Sequence, residues 1–113
     1  MPAADSIALN LVVTHTADGT VVVPQGEIDV HTATALRDCL AGLIEQGQRA
    51  LVVDLHETTF IDSTGLGVLV GALKRARQAD GDLVLAAPRR SIAKVFEVTG
   101  MDKTFEVLDH RPA

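Results

Sequence analysis

The chain has no tryptophan and no tyrosine, and only three phenylalanines among its 113 residues. Proteins that hold single strands or RNA stack bases on aromatic rings, and that platform is missing. Positive charge is also scarce: 10 Lys and Arg stand against 15 Asp and Glu, for a net charge of −5. Affinity for a phosphate backbone comes largely from clustered cations, so the balance argues against nucleic acid as a partner. The single cysteine, Cys39, excludes an intrachain disulfide and has no second thiol at metal-ligand spacing. Residues 1–6 hold no basic stretch leading into an apolar one. The longest apolar run, residues 67–73, falls far short of the roughly 20 residues that cross a membrane. These absences predict a cytoplasmic protein with no membrane insertion.

What is present is enough apolar material for one core. Apolar residues make up 47% of the chain and charged residues 22%, a balance that argues against disorder. The length predicts a single domain over 1–113, with short tails at 1–6 and 109–113. Residues 7–13 and 20–23 read as two strands joined by the turn signal Ala17-Asp18-Gly19, a β-hairpin. After Gly26-Glu27-Ile28-Asp29 the period changes: Leu36, Leu40 and Leu43 recur at helical spacing, with Thr32 as candidate N-cap and Gly47 as the stop. Residues 50–55 form a Val-rich run of the kind buried on both faces, which places that strand centrally.

Residues 56–62 read as a loop interrupted by Phe60-Ile61. Ser63 or Thr64 then caps a second helix, on which Leu66, Leu69, Val70 and Leu73 share a face. Residues 79–82 break it, 83–86 form another strand, Pro88 opens a third helix through Val98, and Gly100 closes that one. Residues 105–108 add an edge strand. Strand, helix, strand, helix in this half implies right-handed crossovers with helices on a sheet. The expected fold class is α/β, a small mixed β-sheet of four to five strands with helices packed against it.

The most informative stretch is Phe60-Ile61-Asp62-Ser63-Thr64-Gly65-Leu66-Gly67, which joins a buried strand region to a helix start. A hydroxyl there is presented at the surface. A phosphate added to it meets free backbone N–H groups and the positive end of the macrodipole, and brings about −1.5 to −2 charges beside Asp62. Gly65 and Gly67 leave room for a partner to approach the backbone. From spacing alone, the favoured reading of Ser63 and Thr64 is that of helix caps with no further role.

Other chemistries fit worse. Ser63 lacks the G-x-S-x-G context of a hydrolase elbow, and no histidine is paired with an orienting acid. Gly65, Gly67 and Gly71 miss the dinucleotide spacing by one residue, and no Walker lysine follows, so no cofactor is expected. His15, His31, His56 and His110 are scattered as surface or loop histidines, and no metal site is expected. Cys39 reads as a small residue near the core. Lys74, Arg75 and Arg77 read as a solvated face that also suits an acidic partner.

Gly26-Glu27-Ile28-Asp29, Val53-Asp54-Leu55, the 60–67 segment and Phe96 through Gly100 together resemble the STAS-domain anti-sigma factor antagonists across nearly the whole chain. The specific part is Asp62-Ser63-Thr64-Gly65-Leu66 before an apolar helix, combined with the upstream Gly26-Glu27-Ile28-Asp29. The resemblance implies a non-enzymatic partner-switching protein. Unphosphorylated, it binds an anti-sigma factor, a GHKL-type serine kinase, and so frees a sigma factor. The kinase phosphorylates the serine matching Ser63, and a PP2C-type phosphatase reverses the mark. ATP and Mg²⁺ belong to the kinase. Asp29, Asp62, Ser63, Thr64, Gly65, Leu66 and Gly67 are the implied partner-binding residues, with Asp29 or Asp62 orienting the serine or touching the kinase. Thr64, where many relatives carry a second serine, is a possible second acceptor. Free-standing domains of this kind also resemble accessory subunits of lipid-transport ABC systems and scaffold modules of stress-sensing assemblies, which stay open as alternatives.

Overall fold

The computed structural model describes residues 9–112. The expected hairpin forms, longer than its sequence signals. Strands β1 (Asn10–Thr16) and β2 (Gly19–Ile28) pair antiparallel from Thr16↔Gly19 to Asn10↔Gln25. Positions 7 and 8 of the expected first strand lie outside the described residues. The Thr16 hydroxyl holds the turn, donating to the Gly19 carbonyl and accepting from the Asp18 N–H. Gly19 has φ +147°, and an added Cβ would lie 2.4 Å from the Ala50 carbonyl oxygen, so only glycine fits.

The second strand was expected to end at Val23 but continues through Pro24 and Gly26 to Ile28. Its length lets it serve two parallel neighbours in series. Thr20–Val22 pair with β3 (Ala50–Asp54), and Gly26–Ile28 pair with β4 (Thr58–Ile61). Pro24, which cannot donate to a ladder, falls between the two paired stretches. The β4 strand corrects the expected 56–62 loop. Its burial runs buried, exposed, exposed, buried, so no period-2 alternation marks it in the sequence.

Helix α1 (Ala33–Glu45) buries Leu36, Leu40 and Leu43 as expected, and Gly47 at φ +92° ends it. Thr32 occupies the N-cap position without capping. Its hydroxyl donates instead to the Glu27 carbonyl (2.7 Å) and accepts from the Asp29 N–H (2.9 Å), tying the helix start to the end of β2. Helix α2 (Ser63–Gln78) buries Leu69, Ala72, Leu73 and Ala76, while Leu66 and Val70 are half-buried at the core's margin.

Strand β5 (Asp82–Ala86) lies parallel to β3 in unbroken register from Ala50↔Asp82 to Asp54↔Ala86, so β3 is central as expected. Helix α3 (Arg90–Thr99) begins two residues after Pro88 and ends at Gly100, whose φ of +78° is the left-handed conformation glycine tolerates. A short α4 (Met101–Thr104) leads to the edge strand β6 (Val107–Leu108). The sheet order is β1-β2-β3-β5-β6 with β4 beside β2, a mixed sheet with α1 packed on α2 and α2 on β5. Phe96, Ile28, Leu36, Leu40, Leu51, Leu69 and Leu85 lie at the centre of the core.

Candidate functional site

The last residues of β2 and β4 pair side by side, Ile28 with Ile61, and the Asp62 N–H donates to the Ile28 carbonyl (3.2 Å). Two parallel strands thus deliver Asp29 and Asp62 to one edge of the sheet. Each strand feeds a helix, α1 after the turn at 30–32 and α2 at once. The carboxyl ends of parallel strands, with helix N-termini above them, are where α/β folds place binding sites.

At Asp62 the backbone is still extended (φ −106°, ψ −174°), and its Oδ1 accepts from the Gly65 N–H at 3.1 Å. Asp62, not Ser63 or Thr64, is therefore the N-cap of α2. Asp, Ser and Thr are equally good caps by side chain, and only the backbone position at which helical φ/ψ begins chooses among them. The Asp62 carbonyl accepts the first intrahelical bond, from Leu66 (3.0 Å). Ser63 and Thr64 become the first two helical residues, both exposed, and their N–H groups precede that bond at the positive end of the helix. Among the described residues the Ser63 hydroxyl has no hydrogen-bond partner.

Gly65 wedges the helix start against the strand ends. A Cβ there would stand 2.8 Å from Ile28 Cγ2 and from Ile61 Cγ1, and 3.0 Å from the Ile28 carbonyl oxygen. Its absent side chain thus serves internal packing. Gly67 is exposed and Leu66 half-buried.

Asp29 is folded onto its own turn. Its Oδ1 accepts from the His31 N–H (2.9 Å) and the Thr32 N–H (3.2 Å). These bonds, that from His31 foremost, hold its carboxyl below the ordinary value of 3.8. Neither Asp29 nor Asp62 hydrogen-bonds the Ser63 hydroxyl among the described residues; both act on the backbone of the turns that carry them.

Sequence reasoning gave no binding role to two neighbours. Val30 (63% exposed) and Phe60 (47% exposed) project at the same end of the β2–β4 pair, an apolar rim beside a polar helix start. Exposed apolar residues carry no signal until the fold places them together. His56, read as an ordinary surface or loop histidine, lies in the turn after β3 and joins a network around one buried carboxylate. Its Nδ1 donates to Asp54 Oδ1 (2.8 Å), and Arg111 Nε donates to Asp54 Oδ2 (3.1 Å), so a carboxylate only 1% exposed is paired from both sides. Cys39 is half-buried against the core, and burial pushes its thiol above 9.0. No helix among the described residues is long and apolar enough to cross a membrane.

The sequence signature of the STAS domain matches residues 10–111. An anti-sigma-B factor antagonist of Staphylococcus aureus is 37% identical over 82 residues, covering 73% of this chain and 76% of its own. Among solved structures, an anti-sigma factor antagonist from Mycobacterium paratuberculosis superposes with a TM-score of 0.81 at 28% identity, over 90% of this chain and 86% of that one. The Bacillus cell fate determinant SpoIIAA in its phosphorylated form gives 0.67 at 24% identity, over 88% and 89%. With a signature spanning nearly all of the described fold and a relative of this identity, the chain belongs to the STAS-domain anti-sigma factor antagonist family.

Proposed function

We propose that this chain is a phosphorylation-controlled anti-sigma factor antagonist, with Ser63 as the acceptor. Unphosphorylated, it binds an anti-sigma factor that is a GHKL-type serine kinase and thereby releases a sigma factor. Phosphate on Ser63 ends the complex, and a PP2C-type phosphatase restores it. The protein works in the cytoplasm and is itself no enzyme. The observation that carries this reading is the Ser63 hydroxyl, exposed at the first position of α2 and unengaged, directly after the capping Asp62.

Asp62, Thr64, Gly65, Leu66 and Gly67 surround the acceptor along the chain, and Asp29 reaches the same edge through the β2–β4 pairing. Val30 and Phe60 add the apolar contact that an interface centre needs. A phosphate at Ser63 brings about −1.5 to −2 charges to an edge that already carries Asp29 and Asp62. Repulsion and the cost of desolvating that charge then act against any partner seated there.

The test uses wild type, Ser63→Ala and Ser63→Glu as baits in lysate of the native organism, with the retained proteins identified by mass spectrometry. Retention of a GHKL-type kinase by Ser63→Ala, its loss from Ser63→Glu, and phosphate on Ser63 of recovered wild type are the expected results. Equal retention of one ATPase transporter subunit by all three baits, with Ser63 unmodified, would replace this reading with the transport one.

A further inference from the structure

Helix α2 carries two interior glycines that internal packing does not require. Gly67 and Gly71 lie four residues apart, on one face of the helix. Glycine disfavours a helix relative to alanine through its backbone entropy, and a close neighbour is the usual reason to keep it. Gly65 has such a neighbour on its inner side. At Gly67 and Gly71 an added Cβ would meet nothing within 4 Å. Their bareness is turned outward.

Outward of these glycines lies a groove between α1 and α2. Ala41, Gly67, Val68, Gly71 and Ala72 line it together with Arg37 and Arg75, and it encloses about 240 Å³. Thr64, the neighbour of Ser63, closes its near end. Beyond Ala41 and Arg75 a second depression, lined by Ile44, Glu45, Gln78 and Ala79, continues along the helix pair, and its Glu45 confines the cationic stretch to the Arg37–Arg75 end. Arg37 meets only Asp38, its neighbour on the same helix, and Arg75 has no ion pair among the described residues. Two cations therefore line a largely apolar groove that holds two glycines, in a chain of net charge −5.

We propose that this groove receives a helix of the same protein partner that covers Ser63, a helix with a narrow face of small apolar side chains flanked by acidic ones. The inference rests on the partner-binding reading above. Bare glycines let the two backbones approach closely, since the distance between packed helices is set by the side chains at the contact. Arg37 and Arg75 complement the acidic flanks and fix their register. Because the groove begins at Thr64, an acidic helix seated in it ends beside Ser63. Phosphate there meets like charge on the bound helix as well as on Asp62, which couples modification to release.

The test uses the kinase retained by Ser63→Ala, purified, with Ser63→Ala as the background so that phosphorylation does not intervene. Adding Gly67→Ala and Gly71→Ala fills open space with better helix formers at both positions, so the melting temperature should rise by roughly 8–16 °C. Affinity measured by calorimetry should nevertheless fall at least ten-fold. Arg75→Glu, on an exposed position, should also weaken binding ten-fold or more, and hydrogen exchange across residues 64–75 should slow in the complex. Unchanged affinity in the glycine variant and in Arg75→Glu, with protection confined to 29–31 and 60–63, overturns the groove and leaves the Ser63 reading standing. Failure of Ser63→Ala itself to bind the kinase overturns both.

Discussion

Gly65→Ala is the substitution whose outcome depends most on the fold. In an isolated helix, alanine in place of glycine gains about 1 kcal/mol. Here the new methyl would stand 2.8 Å from Ile28 Cγ2 and from Ile61 Cγ1 and 3.0 Å from the Ile28 carbonyl oxygen. Ile28 is fully buried and Ile61 nearly so, and β-branched side chains have little freedom at χ1 to move aside. The carbonyl also accepts the Asp62 N–H, so it cannot retreat without loosening the site. Overpacking of this kind costs about 1–3 kcal/mol. At the upper part of that range the clash outweighs the helical gain and leaves a net loss of about 1–2 kcal/mol. Urea unfolding followed by circular dichroism should show a lower midpoint with an unchanged slope. For a chain of this size the melting temperature should fall by roughly 4–8 °C per kcal/mol. A Gly65→Ala variant as stable as wild type would refute the close-packing argument. It would also remove the contrast with Gly67 and Gly71, where the same change should stabilise.

Two further outcomes follow from the turns that carry the site. Asp62→Ala removes the side-chain acceptor of the Gly65 N–H and should cost about 1 kcal/mol in thermal unfolding, whereas Asp62→Asn, which keeps an acceptor, should cost less; equal losses would contradict the capping role. The Asp29 carboxyl is held below its ordinary 3.8, chiefly by the His31 N–H. Its contribution to stability is therefore present above that ordinary value and lost as pH falls through the lowered one. A carboxyl carbon titration followed by NMR should give a midpoint below 3.8 for Asp29, and Asp29→Asn should flatten the acid limb of stability against pH; a midpoint at or above 3.8 would contradict the geometry.

Helix faces were legible wherever a period repeated. Leu36, Leu40 and Leu43, and Leu69 with Leu73, are buried where helical spacing puts them, and Gly100 adopts the left-handed conformation that its position after a helix predicts. The Val-rich 50–55 run and the 83–86 run are the central parallel strands. Legibility failed where an element is defined by its partner. Strand β4 spans only four residues without alternation, and its partner lies about thirty residues upstream in a stretch of β2 that follows a proline. The further partners of Thr32 and His56 were not legible for the same reason. Each has an ordinary local setting, and each is claimed by a strand end or a buried carboxylate that sequence spacing does not reveal.

The sequence alone determined that a serine stands at the start of an amphipathic helix, after an aspartate and before two bare glycines. Helix periodicity and capping are short-range properties, carried by residues within a few positions of one another. Tertiary structure decided what surrounds that serine. Parallel pairing of Ile28 with Ile61 brings Asp29 to the edge that Asp62 shares, and the packing of α1 beside α2 forms the groove that starts at Thr64. It also decided which glycine is needed inside and which face outward, because a Cβ clash depends on atoms delivered from distant parts of the chain.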